Sequence, residues 1–309
     1  MKSRTAKCLL IGLSAGFFVT QSSASLLVYE GFSGYNTGVL TGQTAQGTGL
    51  TSQWSLRGNT DMNVTSTGLT FGSLTTSGGA ASVSLSGSND LSVMGVEVDL
   101  DSPATGTVYS SMLFNFSSVA DSGSLSGLRV SDNIGLQDNN RFSIYPVYQG
   151  TTGYYPGVAY NLNSTRSDQT LSLDTTYIAI TILERVGEDT NLPGDAGRAN
   201  LYVLDELQFE DFVANGRDEA NLTGRTIGAG AGNVSAFATH GSRGGPLTFA
   251  DGGFLGFANF ANSGTLSGIY DELRWGTSLD DVTVVPEPAS LAFLLSMGMF
   301  CSVLIRRRR

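Results

Sequence analysis

Between residues 25 and 285, apolar side chains recur in short runs that alternate with small polar ones, and Gly, Ser, Asn or Asp punctuates nearly every run. A period of two predicts half-buried β-strands, and the punctuation predicts tight turns. On this basis strands are expected over residues 26–32, 68–75, 81–85, 91–100, 107–116, 125–130, 141–145, 177–185, 200–207, 254–260 and 268–275. Ile178, Ile180 and Ile182 alternate with Ala179 and Thr181, which puts the isoleucines on one strand face and predicts that this face points into the core. Residues 205–215 and 218–222 are expected as helical turns, and no amphipathic helix longer than about two turns is predicted. Neither a fixed-period repeat nor a Pro-rich linker interrupts the pattern, so it predicts an all-β fold with one sandwich domain over residues 25–282.

Composition agrees. With 40 Gly against 7 Pro in 309 residues the chain is turn-rich, and 40% hydrophobic residues suffice for a core while 14% charged residues are too few for charge-driven disorder. Charge matters more when divided along the chain. Residues 25–285 carry ten arginines, no lysine and 26 acidic residues, a net charge of −16 that repels phosphate backbones and excludes nucleic acid as an expected partner.

The remaining basic residues sit at the two ends. Lys2, Arg4 and Lys7 precede an apolar run from Cys8 to Val19 and the small residues Ser22, Ser23 and Ala24. This order predicts a secretory signal peptide over residues 1–24, cleaved between Ala24 and Ser25. About twelve apolar residues reach only about 18 Å as a helix, short of a bilayer core of about 30 Å. At the other end, Pro286, Glu287 and Pro288 precede an apolar segment at 289–305 and then Arg306, Arg307, Arg308 and Arg309. Seventeen residues give about 25 Å of helix, a short transmembrane helix, and the arginines hold its end on the cytoplasmic side.

The segment 283–309 resembles the PEP-CTERM sorting signal of Gram-negative bacteria in its ordered Val-Pro-Glu-Pro, Ala-Ser, apolar helix and terminal arginines. That resemblance implies export, transient anchoring in the inner membrane, recognition near Pro286, Glu287 and Pro288 by an exosortase-type protease, and delivery to the cell surface or extracellular matrix. The cysteines agree with this route: Cys8 lies in the signal peptide and Cys301 in the apolar segment, so the exported domain has neither a disulfide nor a Cys-type metal site.

A second resemblance covers the domain. Leu27-Val28-Tyr29-Glu30-Gly31-Phe32 at its start, Tyr177 to Leu183 and Ala199-Asn200-Leu201-Tyr202-Val203 in its middle, and Ile269-Tyr270-Asp271-Glu272-Leu273-Arg274-Trp275 at its close are similar to concanavalin A-like, laminin G-like jelly rolls. The resemblance implies a lectin-like sandwich whose first and last strands are neighbours, with Glu30 near Arg274. Such a fold hosts both binders and enzymes.

Chemistry within the domain is sparse. Its single histidine, His240, is expected in a solvated loop, and the sole Gly-x-Ser-x-Gly match lies in the signal peptide at residues 12–16, outside any nucleophile elbow. Glu97, Asp99 and Asp101 alternate along one strand as glycoside hydrolase carboxylates do, but no third Glu follows, so the expected reading is the solvated face of an edge strand. Glu188, Asp189 and Asp195, and the pair Asp280 and Asp281, offer oxygen ligands of the kind Ca²⁺ takes; without an Asp-x-Asp-x-Asp-Gly loop they are expected as solvated acids, and no cofactor is predicted. Tyr145, Tyr148, Tyr154, Tyr155 and Tyr160 cluster among glycines, and flat rings of this kind pack on sugar faces. The expected function is structural or adhesive and non-enzymatic, with extracellular polysaccharide as ligand and the tyrosines as binding face. The alternatives are a secreted hydrolase using Glu97, Asp99 and Asp101, or a calcium-stabilised adhesion module.

Overall fold

The computed structural model describes residues 25–87, 90–119, 127–131, 142–148, 153–160, 163–188, 197–241, 253–261 and 263–283. The expected signal peptide and the sorting segment from residue 284 onward lie outside these residues. Along the chain the strands are β1 (Leu26–Glu30), β2 (Gly38–Val39), β3 (Leu50–Gly58), β4 (Asn63–Thr65), β5 (Ala80–Ser86), β6 (Asp90–Val98), β7 (Gly106–Ser118) and β8 (Leu128–Ser131). There follow β9 (Phe142–Tyr148), β10 (Gly153–Tyr160), β11 (Asn163–Arg166), β12 (Leu171–Ser172), β13 (Tyr177–Val186) and β14 (Arg198–Leu204). Helices α1 (Glu206–Ala214) and α2 (Glu219–Thr223) lead to β15 (Thr226–Ile227), β16 (Asn233–Val234), β17 (Ala236–Gly241), β18 (Phe254–Ala261), β19 (Thr265–Gly276) and α3 (Leu279–Val282).

These strands form two antiparallel sheets and one short parallel pair, β15 with β16. The first sheet runs β17-β14-β13-β7-β19-β5-β4-β2 with β1 paired to β19; the second runs β11-β10-β9-β8-β18-β6-β3 with β12 on β10. The expected all-β sandwich is therefore present. Tyr29 lies opposite Arg274 and Glu30 opposite Leu273, so the first and last strands are neighbours as the resemblance implies.

One core fills the space between the sheets. Val28, Met112, Phe116 and Leu273 from the first sheet meet Met94, Val96, Leu128 and Phe257 from the second. Aromatic rings bridge the layers: Phe257 lies 4.7 Å from Tyr270 and stacks on Trp54 at 6.1 Å, and Phe116 meets Tyr154 edge-on at 5.3 Å.

A second core lies on the outer side of the first sheet and corrects the reading of the isoleucines. Ile178, Ile180 and Ile182 point away from the sandwich interior and pack with Phe209, Phe212 and Leu113, while Ala179 and Leu183 fill the interior. β13 is thus buried on both faces. The covering layer is α1, started by a capping box in which Asp205 accepts from Gln208 N at 2.9 Å and Gln208 Oε1 accepts from Asp205 N at 3.1 Å. That cap ends the strand expected at 200–207 at Leu204 and begins a helix of nine residues.

Residues 68–75 form no strand. They belong to a strap, residues 66–79, that crosses beside β19 and carries Phe71 and Leu74 into the second core, where Phe71 sits 5.5 Å from Phe209. Removing the ring in Phe209→Ala is expected to cost about 3–5 kcal/mol. Removing the cap in Asp205→Ala should cost about 1 kcal/mol. Urea unfolding of both variants checks the ranking, and equal small losses would mean that α1 does not seal a packed layer.

Candidate functional site

The two sheets differ in what covers them. The outer face of the first is closed by α1 and the strap, whereas among the described residues no helix lies on the outer face of the second. Alternation defines that outer face. Met94, Val96 and Val98 of β6, Leu128 and Val130 of β8, Tyr154 and Val158 of β10, and Leu255 and Phe257 of β18 face the interior. Their alternates, Val93, Glu97, Arg129, Tyr155 and Ala258 among them, therefore face outward.

Glycine lets the strands of this face approach closely. A Cβ on Gly256 would stand 1.9 Å from the Met94 carbonyl oxygen, a separation no side chain can occupy. On the β10 side, the Arg166 guanidinium lies over the Tyr155 ring at 4.9 Å from its centroid, a cation–π contact that holds the half-buried ring in one orientation. Gly157 sits between Tyr145 on β9 and Arg166 on β11 in the backbone register.

The tyrosine cluster divides on this register. Tyr155 is outward and half-buried, but Tyr154 is fully buried against Phe114 and Phe116 and belongs to the core, which corrects its assignment to a binding face. Burial pushes its hydroxyl well above the usual tyrosine range. For the other three the backbone register is described: Tyr145 opposite Gly157, Tyr148 opposite Tyr154 and Tyr160 opposite Phe142.

The acidic trio also divides. β6 is flanked by β18 and β3, so it is not an edge strand, and it ends at Val98. Glu97 faces outward on the second sheet; Asp99 and Asp101 lie beyond the strand in a cleft of about 410 Å³ lined also by Ser25, Leu26 and Thr48, and Glu97 does not line it. The structure puts Glu97 and Tyr155 on the same face but four strands and about six residues apart in register, and leaves the two aspartates at the end of the sandwich. His240 is not in a loop but on β17, with its Nδ1 2.8 Å from Thr165 Oγ1.

Asp280 and Asp281 are helix-terminal groups. Asp281 accepts from Ser278 N at 2.9 Å and Thr277 N at 3.1 Å, and Asp280 pairs with Arg217 at 3.3 Å. Glu188 pairs with Arg185 at 2.9 Å, while Asp189 and Asp195 lie outside the described residues. Among the described residues no group of three or more His, Cys, Asp or Glu side chains could hold a metal ion.

Sequence reasoning missed a buried carboxyl cluster. In β19 the register slips by one residue against β7 between Asp271 and Arg274, and Glu272 adopts φ +53°. This bulge turns Asp271, Glu272 and Arg274 together toward the strap. Asp271 accepts from Leu69 N at 2.7 Å and from Glu272 N at 2.8 Å; Glu272 accepts from Ser77 N and pairs with Arg274 at 2.6 Å. Arg274 also donates to Thr75 O and lies over the Tyr29 ring at 5.2 Å. Nearby, Glu30 accepts from Phe32 N at 2.7 Å and from the Tyr35 hydroxyl at 2.5 Å. The signal available in sequence was the adjacent Asp-Glu inside a bulky apolar run, followed two residues later by Arg.

These acids are structural, and their burial has a pH signature. Burial first, and the neighbouring Glu272 carboxylate second, push Asp271 up to about 8, and burial also raises Glu30. A carboxyl that binds its proton more tightly folded than unfolded contributes stability when protonated. That contribution is lost as pH rises from about 3.9, the unfolded value, to about 8. Melting temperature is therefore expected to fall across this window, and Asp271→Asn should flatten the slope whatever its absolute stability. An unchanged slope in that variant would place the titration elsewhere.

No family model matches the chain, and no curated protein matches it. Among solved structures it is similar to a legume lectin-like domain from Entamoeba histolytica, with 11% identity over 72% of this chain and 88% of that one and a TM-score of 0.37. It is also similar to a lectin from Bauhinia forficata in complex with GalNAc, with 8% identity, 82% and 100% coverage and a TM-score of 0.40. An alginate lyase from Chlorella virus gives 8% identity, 72% and 92% coverage and a TM-score of 0.39. The two-sheet architecture rests on the strand pairing itself rather than on these distant likenesses.

Proposed function

We propose that the chain is an exported, non-enzymatic, lectin-like module of the cell surface or extracellular matrix that holds polysaccharide on the outer face of its second sheet. The observation that carries this reading is the asymmetry of the sandwich: one outer face is sealed by a helix and a strap, and the other presents Tyr155 with its ring oriented by Arg166. An oriented aromatic ring supplies the apolar surface that a pyranose packs against. The signal-peptide-like start and the PEP-CTERM-like end support delivery outward and processing by an exosortase-type protease. The reading needs no metal.

The hydrolase alternative rests on Glu97 alone, which faces outward on the same sheet. Incubation of the intact chain with a panel of bacterial and algal polysaccharides, recording both retention and new reducing ends, separates the two. Retention without release is expected, unaffected by Glu97→Gln and weakened about tenfold by Tyr155→Ala, the roughly 1.4 kcal/mol scale of an aromatic contact. Release of reducing ends that disappears in Glu97→Gln would make the protein an enzyme.

A further inference from the structure

The far end of α1 carries reactive chemistry that neither the core nor the glycan face uses. Asn215 and Gly216 form the sole Asn-Gly step in the sequence, and both are exposed in the turn that joins α1 to α2. Gly216 has φ +106°, in the left-handed region, so the turn out of α1 needs a residue without a Cβ. Its surroundings are open: the nearest atom to the place a Cβ would take is Asp218 Oδ2, at 3.7 Å. The Gly216 backbone nitrogen is therefore unshielded next to a side-chain amide in the sequence.

That amide holds the last turn of the helix. Asn215 caps α1, and its Nδ2 donates to Asp211 O at 2.8 Å and to Asp211 Oδ1 at 3.1 Å, while its carbonyl accepts from Asn221 Nδ2 at 2.9 Å. Asp211 pairs in turn with the buried Arg225 guanidinium at 2.8 Å, and Arg225 lies over the ring of Phe212, 5.6 Å from its centroid. The cap is thus linked through two side chains to an aromatic ring of the second core. These bonds also draw the Asn215 amide back along the helix, so its reaction with Gly216 waits on fraying of an exposed helix end, the part of α1 that opens most easily.

We propose that Asn215 is a site of spontaneous deamidation, and that its product loosens the helical layer on the first sheet. The Gly216 nitrogen attacks the Asn215 side-chain carbonyl carbon, the new N–C bond closes a five-membered succinimide, and the Gly216 proton ends, by way of solvent, on the departing ammonia. Water then adds to one of the two ring carbonyls and reopens the ring, leaving either aspartate or isoaspartate. Water is the one co-reactant. Either product puts a carboxylate where the amide donor was. Both bonds to Asp211 are lost, and a negative charge arrives beside the Asp211 carboxylate and at the negative end of the α1 dipole, where the last turn holds no basic residue to offset it. This inference stands apart from the glycan-binding reading.

Ageing of the intact chain in warm buffer, at mildly alkaline and at mildly acidic pH, tests it by peptide mass spectrometry and enzymatic methylation of isoaspartate. Asn215 is expected to gain one mass unit severalfold faster than any other asparagine of the folded chain, and faster in the alkaline buffer, with isoaspartate among its products. Asn215→Gln, which has the same amide but would have to close a larger ring, should show no such gain. Asn215→Asp, which carries one product from the start, is expected to melt about 2–4 °C below the unaltered chain, and aged protein should shift toward it as conversion proceeds. A folded chain whose Asn215 converts no faster than its other asparagines would overturn the site. Rapid conversion, with aged protein and Asn215→Asp both melting as the unaltered chain does, would overturn the loosening of the helical layer.

Discussion

Three buried carboxyl groups and one guanidinium hold the ends of this sandwich together. Glu30 comes from the first strand, Asp271, Glu272 and Arg274 from the last, and the strap between β4 and β5 supplies the amides of Leu69 and Ser77 and the carbonyl of Thr75. Buried polar and charged groups without partners are costly, so these groups tolerate burial only while the strap and the end strands are all in position. The cluster thus makes three segments distant in sequence mutually dependent. Gly68 shows how tight the fit is: a Cβ there would stand 2.5 Å from Asp271 Oδ2.

That dependence sets the asymmetry of the molecule. Once pinned, the strap delivers Phe71 and Leu74 to the outer side of the first sheet, and α1 completes the layer with Phe209 and Phe212. The first sheet is consumed in building stability. The second sheet has the same interior packing, shared with the first through Phe257, Tyr270 and Tyr154, and its outward positions mix glycine and alanine with Leu91, Val93, Phe254, Glu97, Arg129 and the oriented Tyr155.

Much of the fold was legible because its strands alternate cleanly, and the joining of the first and last strands followed from the resemblance of the domain's two ends. The exceptions have physical reasons. β3, Leu-Thr-Ser-Gln-Trp-Ser-Leu-Arg-Gly, is an edge strand with few apolar residues and carries little periodic signal. In β13 both alternating sets are apolar, so periodicity identified the strand but not which side met the interior; the larger isoleucines went to the outer core because the interior was already filled by aromatic rings. Adjacent tyrosines cannot share a face, so only Tyr155 of the Tyr154–Tyr155 pair was available for contact, a limit the clustering along the chain concealed.

Hydroxyl-radical footprinting of the intact chain, with and without a polysaccharide retained from the panel, tests most directly the claim that the second sheet is the ligand face. Protection is expected at Tyr155 and Phe254 on that sheet, with no change at the exposed Leu207 and Ile227 on and beside the helical layer. Protection of Leu207 and Ile227 with Tyr155 unchanged would contradict the account and move the binding surface to the side assigned here to stability.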